Sequence, residues 1–554
     1  MAAPPGHGVS RETRSALRVS VLVAVVALLV AACSSGASHR AVVRRATPKP
    51  VRVIAPPTSL TSHGVVATAV VAENARPGTS AWIITNRGPG FIEGFADKNY
   101  ATVGDPVDLF VSTDATTYTV TAYRMGWYQG LGAREIWASP PIQGSVQPHC
   151  PVDHATNMVS CTNWHSALTI SVNSTFVPGD YLLKLVGNRR QQAYVPLTVW
   201  DPASTATYLI MNRSLVEQGW NAYGGYSYYQ GTGSCILDEH GYPPCNRARV
   251  VSFDRPYDGD GASDFLGNEY PLVQYAEELG LDATYCTDVC ISEQPKFLLQ
   301  HRALLALDHD ETWTNSERTG ALLALRAGVN MAFFGAATLV RHARLEPSSF
   351  GRDRQEVDYR NSSEDPLDGQ GAPLEVTGNT WDEPPTSWAA SSFVGQIYSG
   401  YVEPHENNLP MVVYDPSSWV FHGLPVTKGT TIPNMINSDI EHIDPGQPMP
   451  RNIQVLAHSP ISLSRAYTNQ GSWDGLTYSD MTYYTDPASK AGVFDSGDNV
   501  WVSTLSPCSD PHAPCGAAFT RAVTANVFRL FGQGPAGVTQ PSVPNWSGVT
   551  PKGS

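Results

Sequence analysis

The chain has 554 residues, of which 16% are charged and 10% aromatic, and its formal net charge is −14. This length exceeds that of one typical domain and predicts two or more units with buried cores. The acidic balance excludes a nucleic-acid-binding surface, because such a surface needs a stripe of lysines and arginines and none follows the N-terminal segment.

Residues 1–33 have the pattern of an export signal. A segment with three arginines, residues 11–18, precedes the apolar run 19–32. The run is short for the roughly 20 residues that span a membrane, which favours a cleaved signal peptide over a retained anchor helix. Residues 30–33, Val-Ala-Ala-Cys, resemble a bacterial lipobox. The sequence therefore predicts lipidation at Cys33 and a lipoprotein on the outer face of the cytoplasmic membrane, in the cell envelope.

The remaining cysteines form short local pairs, as expected of an exported protein. Four disulfides are predicted: Cys150–Cys161, Cys235–Cys245, Cys286–Cys290 and Cys508–Cys515. Metal ligation is the alternative, but no pair has the CxxC spacing of a zinc site. A separation of four residues can hold two sulfurs apart, so Cys286 and Cys290 are also compatible with free thiols or ligands.

Composition and periodicity divide the mature chain into four parts. Residues 34–70 are rich in Ser, Ala, Val, Pro and Thr and are predicted to be a flexible tether. Residues 71–200 carry short strands separated by turns, which is typical of an all-β sandwich. Residues 201–535 alternate strands and helices and predict an α/β domain with a mostly parallel sheet. Residues 536–554 are predicted to be a disordered tail.

The individual elements are predicted from local patterns. In the sandwich, the predicted strands are 106–111, 118–124, 168–172, 181–186 and 193–199. In the α/β part, the predicted strands are 208–211, 250–253, 283–286, 303–307, 331–334 and 491–494, with helices at 271–279 and 517–530.

The segment 303–337 contains the strongest indication of chemistry. The apolar run 303–307 ends at the polar residues 308–311, Asp-His-Asp-Glu. Open α/β sheets bind ligands at this end of their strands. Thr314 and Glu317 then have the spacing of a capping box, which predicts a helix after the polar residues. The alternative interpretation is that these polar residues only solvate a loop.

Six segments, in the same order, resemble the large (beta) subunit of N,N-dimethylformamidase and its actinobacterial lipoprotein relatives. They are residues 73–82 (ENARPGTSAW), 123–133 (YRMGWYQGLGA), 220–225 (WNAYGG), 277–288 (EELGLDATYCTD), 307–313 (LDHDETW) and 327–335 (AGVNMAFFG). The resemblance implies a β-sandwich joined to a glutamine-amidotransferase-like α/β domain. It also implies a mononuclear iron, in the ferric state, held by two tyrosines and one glutamate.

Matching the motifs residue by residue identifies candidate site residues. The glutamate would be Glu311, one tyrosine Tyr223 and the other Tyr181, with His309 as a proton carrier or orienting group and Glu441 as a further acid or base. Phenolate and carboxylate oxygens are hard ligands that suit ferric iron. From the residues alone, Tyr181 also fits a tyrosine packed on a sandwich face, and Tyr223 fits an aromatic contact surface.

The chain departs from the family pattern after the strand that ends at Gly335. Relatives usually carry an asparagine there, whereas this chain has Ala336 and Ala337. An amide side chain can hold a substrate or a water molecule, and an alanine cannot. The substrate pocket or the hydrolytic step is therefore expected to differ.

Three functions are compatible with these features. The first is an exported, metal-dependent hydrolase of C–N bonds in small linear amides. The second is a catalytically altered lipoprotein that binds a ligand in the cell envelope. The third is a glycan-active enzyme that pairs Glu311 with Asp310 or Glu441. The expected partners are a small-molecule substrate, such as an amide, and the membrane through the lipid; a homo-oligomer and a small-subunit partner are left open.

Overall fold

The computed structural model describes residues 58–85, 87–233, 246–402, 408–468, 472, 475–507 and 516–550. Ala55–Ser554 form one compact unit. The predicted signal peptide, the lipidation site and the pairs Cys235–Cys245 and Cys508–Cys515 lie outside the described residues.

Residues 92–199 fold as two facing β-sheets. The smaller sheet pairs Ser166–Ser171, Pro106–Thr113 and Ile92–Ala96, and the larger pairs Tyr100–Ala101, Gln192–Val199, Gly179–Gly187, Thr117–Met125 and Ala133–Ala138, with Ile142–Gln143 beside Thr117–Met125. On one central strand, Tyr181 and Leu185 lie in the core between the sheets, whereas Leu182 packs in the core of the following α/β part. Alternate residues of a strand point to opposite faces, so this strand contributes to both cores. The predicted β-rich N-terminal part is confirmed.

A seven-stranded sheet forms the centre of the C-terminal part. Its strands, in order of pairing, are Ala283–Thr287, Tyr208–Asn212, Ala303–Leu307, Asn330–Phe334, Gly492–Asp495, Leu476–Thr485 and Gln454–Ser462. The first five are parallel, as the alternation of strands and helices predicts, and the last two are antiparallel. The parallel strands bring their carboxyl ends to one edge of the sheet, where the polar residues 308–311 follow.

The predicted strand 250–253 does not join this sheet. Val250–Ser252 instead pairs antiparallel with Gly351–Val357 in a sheet that also contains Arg341–Ser348 and Thr312–Thr314. The prediction of a parallel strand was wrong here, because an apolar run specifies a buried strand but not the partner with which it pairs.

Smaller sheets and helices surround the two parts. The remaining strand pairings are Thr58–Thr61 with Gly64–Ala67, Val152–Asp153 with Met158–Val159, Gly231–Thr232 with Asn246–Arg247, Leu409–Val412 with Thr431–Ile436, and Ile397–Val402 with both Asp439–His442 and Ala466–Thr468. The α-helices are Thr68–Asn74, Ser214–Trp220, Ser263–Asn268, Tyr270–Glu278, Asp288–Glu293, Asn315–Arg326, Ser391–Val394 and Ala517–Phe531. Within the described residues, no helix has the length and apolar character needed to cross a membrane.

The predicted capping box is present directly after the polar segment. Thr314 Oγ1 accepts a hydrogen bond from the Glu317 N–H at 3.1 Å, and the Glu317 carboxylate accepts from the Thr314 N–H at 3.3 Å. This arrangement satisfies two backbone donors at the start of the helix Asn315–Arg326. It therefore fixes where the helix begins relative to the strand end.

A buried polar network joins the sandwich to the α/β part. Arg124 donates to Glu277 Oε1 at 2.7 Å, and the two side chains are only 3% and 1% exposed. Tyr128 donates its hydroxyl proton to Glu73 at 2.8 Å and accepts from Arg124 at 3.0 Å, while Asn74 donates to the other oxygen of Glu277. Three of the segments that carry the family resemblance meet in this network. These residues therefore hold the fold together.

Both ends of the described chain pack against the α/β part, although their composition predicts a tether and a disordered tail. Within residues 58–70, Val65 is buried and its N–H donates to the Tyr208 hydroxyl at 2.9 Å. Near the other end, the Asn545 side chain accepts from the Val455 N–H at 2.7 Å. The amino-acid composition of a segment indicates how flexible the segment would be alone. It does not indicate specific contacts such as these with the rest of the fold.

Two of the predicted disulfides are present, Cys150–Cys161 and Cys286–Cys290. In the second pair, the Cα atoms are 5.8 Å apart; Cys286 is the last but one residue of a strand, and Cys290 is the third residue of the helix that follows. We expect alkylation of the denatured, unreduced mature protein to modify none of these four cysteines. Mass spectrometry would reveal the opposite result as stoichiometric labelling of Cys286 and Cys290.

Candidate functional site

The polar segment after Ala303–Leu307 is buried. Asp308, His309, Asp310 and Glu311 are 3%, 9%, 1% and 6% exposed, which excludes the interpretation that they solvate a loop. Asp308 has a left-handed backbone, with φ of 46°, a conformation that is uncommon for residues other than glycine. Gly335, at the end of the neighbouring strand, permits this turn, because a Cβ atom there would lie 1.6 Å from the Asp308 carbonyl oxygen.

Glu311 is the centre of a cluster of aromatic and charged side chains. Its Oε1 accepts from the Trp220 indole N–H at 3.1 Å and from the Tyr229 hydroxyl. Its Oε2 lies 3.6 Å from His309 Nε2 and 4.0 Å from Arg341 Nε. Trp220 and Tyr229 stack with their ring centroids 3.5 Å apart, so each ring helps to hold the other in position to donate to Oε1.

His309 lies between two carboxylates. Its Nε2 is 3.6 Å from Glu311 and 3.8 Å from Asp439 Oδ2. Asp439 is itself held by the Tyr398 hydroxyl at 3.0 Å and by the Asn499 amide at 2.7 Å. The arrangement fixes the imidazole beside two anionic groups and suits a residue that holds or transfers a proton.

The charges in this cluster stabilise one another. Burial alone would lower the pKa of His309, but Glu311 and Asp439 outweigh it and raise this pKa to about 9. Burial acts to raise the pKa of Glu311, but His309 and Arg341 outweigh it and hold that pKa well below its usual value. Burial also raises the pKa of Asp439. The protein therefore stabilises a charged histidine–glutamate pair in its interior.

The structure places the two predicted ligand tyrosines away from Glu311. Tyr181 lies in the sandwich core, stacks on Phe176 and donates its hydroxyl proton to the Val177 carbonyl at 2.7 Å. Tyr223 donates to Glu93 at 2.9 Å. The prediction that these tyrosines share a metal with Glu311 has no counterpart in their contacts. Tyr181 lies on the face of its strand that points into the sandwich core, away from the α/β part.

Glu441 lies beside the loop that follows Gly335. Its Oε1 accepts from the Thr338 N–H at 2.5 Å. Burial and the neighbouring Asp495 carboxyl raise its pKa well above the usual value. From the same strand, Asp439 rather than Glu441 faces His309.

Sequence reasoning missed Tyr229, Tyr398 and Asp439. Tyr229 occurs in the same aromatic-rich run as Tyr223, where several tyrosines are equally suitable as ligands. Only the fold shows that the later one reaches Glu311. Tyr398 and Asp439 come from strands far along the chain, and no local motif marks them.

The loop that contains Ala336 and Ala337, where the resemblance implies an asparagine, adjoins this cluster. Ala337 is buried and has a left-handed backbone, with φ of 57°. The N–H of Leu339 in this loop donates to the Asp310 carbonyl at 3.0 Å, and the Arg341 N–H donates to the Glu311 carbonyl at 2.7 Å. A side chain at position 337 therefore belongs to the surroundings of the site.

The donor types around Glu311 fit a hard metal ion. Within the described ranges, no group of three or more His, Cys, Asp or Glu side chains is arranged to hold a metal. The contact between Glu311 and Tyr229 instead pairs a carboxylate with a phenol, the donor chemistry that ferric iron prefers. Tyr229, and not Tyr223, is the tyrosine whose hydroxyl contacts Glu311.

The protein is thus a two-part β-sandwich and α/β protein. It has a buried cluster of carboxylate, imidazole and phenol groups near the strand ends of its central sheet. The chain belongs to the family described as N,N-dimethylformamidase beta subunit-like, C-terminal, which it matches over residues 119–514.

Other comparisons add little to this assignment. A comparison with curated proteins gave no match. A solved structure of a Paenibacillus sp. cycloisomaltooligosaccharide glucanotransferase, complexed with cycloisomaltoheptaose, is 11% identical, with a TM-score of 0.14 over 50% of this chain and 35% of that chain. This chain thus spans about a third of that protein, and the likeness carries no argument about fold or function.

Proposed function

We propose that this protein is an exported hydrolase of C–N bonds in small linear amides. The observation that carries the proposal is the buried pair of Glu311 and His309, flanked by Tyr229 and Asp439, in a chain of this family. The glutamine-amidotransferase-like character of the α/β part belongs to the same proposal.

Each side chain has a separate role in the proposed reaction. Tyr229 and Glu311 would hold iron through phenolate and carboxylate oxygens, and the bound ion would polarise the amide carbonyl and acidify a water molecule. His309 holds a proton at Nε2 and passes it to the amine nitrogen as the C–N bond breaks. Asp439 orients the imidazole. Hydrolysis thus adds the water oxygen to the carbonyl carbon, and the proton that the water releases restores His309. The carboxylic acid formed gives its proton to the released amine, so the products are a carboxylate and a protonated amine.

Elemental analysis of the purified protein tests the proposal. We expect about one iron per chain and a visible phenolate-to-iron charge-transfer band. Protein from iron-replete cells that contains no iron and shows no such band would contradict the proposed mechanism.

The alternative function is a lipoprotein that binds a ligand without turnover, and Ala337 is the observation that favours it. Ala337→Asn should be accepted by the backbone, because asparagine adopts the left-handed conformation more readily than alanine. If the missing amide alone limits turnover, we expect this variant to hydrolyse a panel of small amides faster than the wild type.

The neighbouring substitution Ala336→Asn is the matched control, because it adds the same side chain to the same buried loop. The unfolding temperatures of both variants should be compared with that of the wild type. An iron-bound wild type and an iron-bound, folded Ala337→Asn variant that both fail to hydrolyse any amide would favour the binding protein.

The proposed location is the outer face of the cytoplasmic membrane, with a lipid on Cys33 as the anchor. Cys33→Ala should release the protein into the medium, because one lipid-carrying residue would be lost. Retention of this variant in the membrane fraction would favour the anchor helix. The family description names a beta subunit, and co-purification would reveal a small-subunit partner.

A further inference from the structure

A cavity of about 410 Å³ opens beside His309 and has an acidic lining. Asp258 and Asp264 contribute from one segment, Asp308 from the strand end, and Asp439 from the first position of the strand Asp439–His442 in a separate sheet. Carboxylates thus approach the cavity from several different elements of the fold.

The arginine in this lining is already engaged by carboxylates. Arg213 is buried, and its guanidinium lies 2.9 Å from Asp264, 3.6 Å from Glu269 and 3.6 Å from Asp308. It also donates to the His309 carbonyl at 3.3 Å. The lining thus contains two cations, Arg213 and the protonated His309. It also contains four aspartates, Asp258, Asp264, Asp308 and Asp439, which gives it an excess of negative charge and raises the local concentration of cations.

Asp308 supplies an independent indication of a ligand. Its Oδ1 is buried and has no hydrogen-bond partner among the described residues, and the side chain lines the cavity. Leaving a buried acceptor without a hydrogen bond is energetically unfavourable. A ligand that brings N–H donors into the cavity would satisfy this oxygen.

Trp220 adds an aromatic wall to the same cavity. It is 44% exposed although it lies against the buried cluster around Glu311. Indole rings attract ammonium groups through their π electrons, and carboxylates attract them through charge. The two kinds of group together are suited to an alkylammonium ion.

We propose that this cavity binds the ammonium end of the substrate, so that the substrate class is linear amides that carry a cationic amine. The inference rests on the proposed function, because it takes the cavity beside His309 as the substrate site. Asp258 and Asp264 attract the ammonium group, Asp308 accepts a hydrogen bond from it, and the amide reaches the cluster around Glu311.

Isothermal titration calorimetry with three matched probes tests this selectivity without requiring turnover. N-(4-aminobutyl)acetamide carries an ammonium end, N-pentylacetamide is its neutral counterpart, and 5-acetamidopentanoate carries a carboxylate. We expect the ammonium probe to bind at least about tenfold more tightly than the neutral one, and the advantage to shrink as salt is added. Equal binding of the three probes, or no binding of any at millimolar concentration, would overturn the proposal.

Variants of the lining identify the groups responsible. Asp264→Asn and Asp258→Asn should each reduce the ratio of ammonium to neutral affinity by about tenfold. Asp258 is exposed, so its substitution tests the idea even if Asp264→Asn does not fold. Glu135→Gln, which changes an exposed carboxylate on a sandwich strand, is the control and should leave the ratio unchanged. An unchanged ratio in Asp258→Asn and Asp264→Asn would also overturn the proposal.

The result can be separated from the proposed hydrolysis. Selective binding of the ammonium probe with no amide cleaved would support this inference and contradict the hydrolase. Cleavage of neutral amides with no preference for the ammonium probe would support the hydrolase and contradict this inference.

Discussion

Arg124→Met is expected to lower the free energy of unfolding by about 3–5 kcal/mol, the usual cost of breaking a buried ion pair by removing one partner. Glu277 would remain in the interior without the guanidinium that lies 2.7 Å from it. Tyr128 would lose the hydrogen bond that it accepts from Arg124. Because the two charged side chains belong to different parts of the fold, the loss should be seen in the unfolding of the whole protein.

Chemical denaturation followed by circular dichroism measures this effect. Arg76→Met is the matched control, because Arg76 also pairs with a glutamate of this region, Glu73 at 3.3 Å, but is 58% exposed. Exposed pairs contribute about 0–1 kcal/mol. If Arg124→Met were no less stable than Arg76→Met, the buried network would not have the structural role assigned to it.

Tyr229→Phe and Glu311→Ala are expected to abolish iron binding while the protein stays folded. Each removes one proposed ligand. Glu311 follows a strand of the central sheet, where residues serve the site more than the core, and Tyr229 lies in a loop. Tyr223→Phe is the matched control for Tyr229→Phe, because it removes a hydroxyl from the same aromatic-rich run, six positions earlier along the chain. Iron content by elemental analysis and the charge-transfer band are the measurements.

His309→Gln should behave differently from the ligand variants. It should keep most of its iron but hydrolyse amides about 10²-fold more slowly, the usual scale for the loss of a general acid or base. Loss of iron in Tyr223→Phe together with full retention in Tyr229→Phe would return the ligand role to the tyrosine that the sequence motif suggests. Full metal occupancy in Glu311→Ala would refute the site altogether.

Local sequence patterns were sufficient to predict many of the secondary-structure elements that surround the site. The strand Ala303–Leu307, the capping box at Thr314 and the polar segment at the strand end all depend on residues close together in the chain. Hydrophobic periodicity and capping report such short-range features directly. The predicted β-rich part and the five parallel strands follow from the same kind of pattern.

The site was harder to predict, because its members meet only in the folded chain. Tyr229 was not distinguishable from Tyr223 until the loop was placed, and Asp439 has no motif of its own. Tyr181 lies in the sandwich core because of the face of the strand to which it belongs. A shift of one residue along the strand would place it on the opposite face. Each of these contacts joins residues that are distant in the sequence, and no short segment of the chain is sufficient to predict it.

The buried network between the sandwich and the α/β part also sets the smallest piece of this chain that can be studied alone. Similarity to the family covers residues 119–514. A polypeptide trimmed to those limits would lack Glu73, Asn74 and two of the three strands of the smaller sandwich sheet, Ile92–Ala96 and Pro106–Thr113. Glu277 would lose a donor in the interior, and apolar side chains between the sheets would meet water. The limits of sequence similarity are therefore not limits of autonomous folding, and a fragment for crystallisation should span residues 58–550.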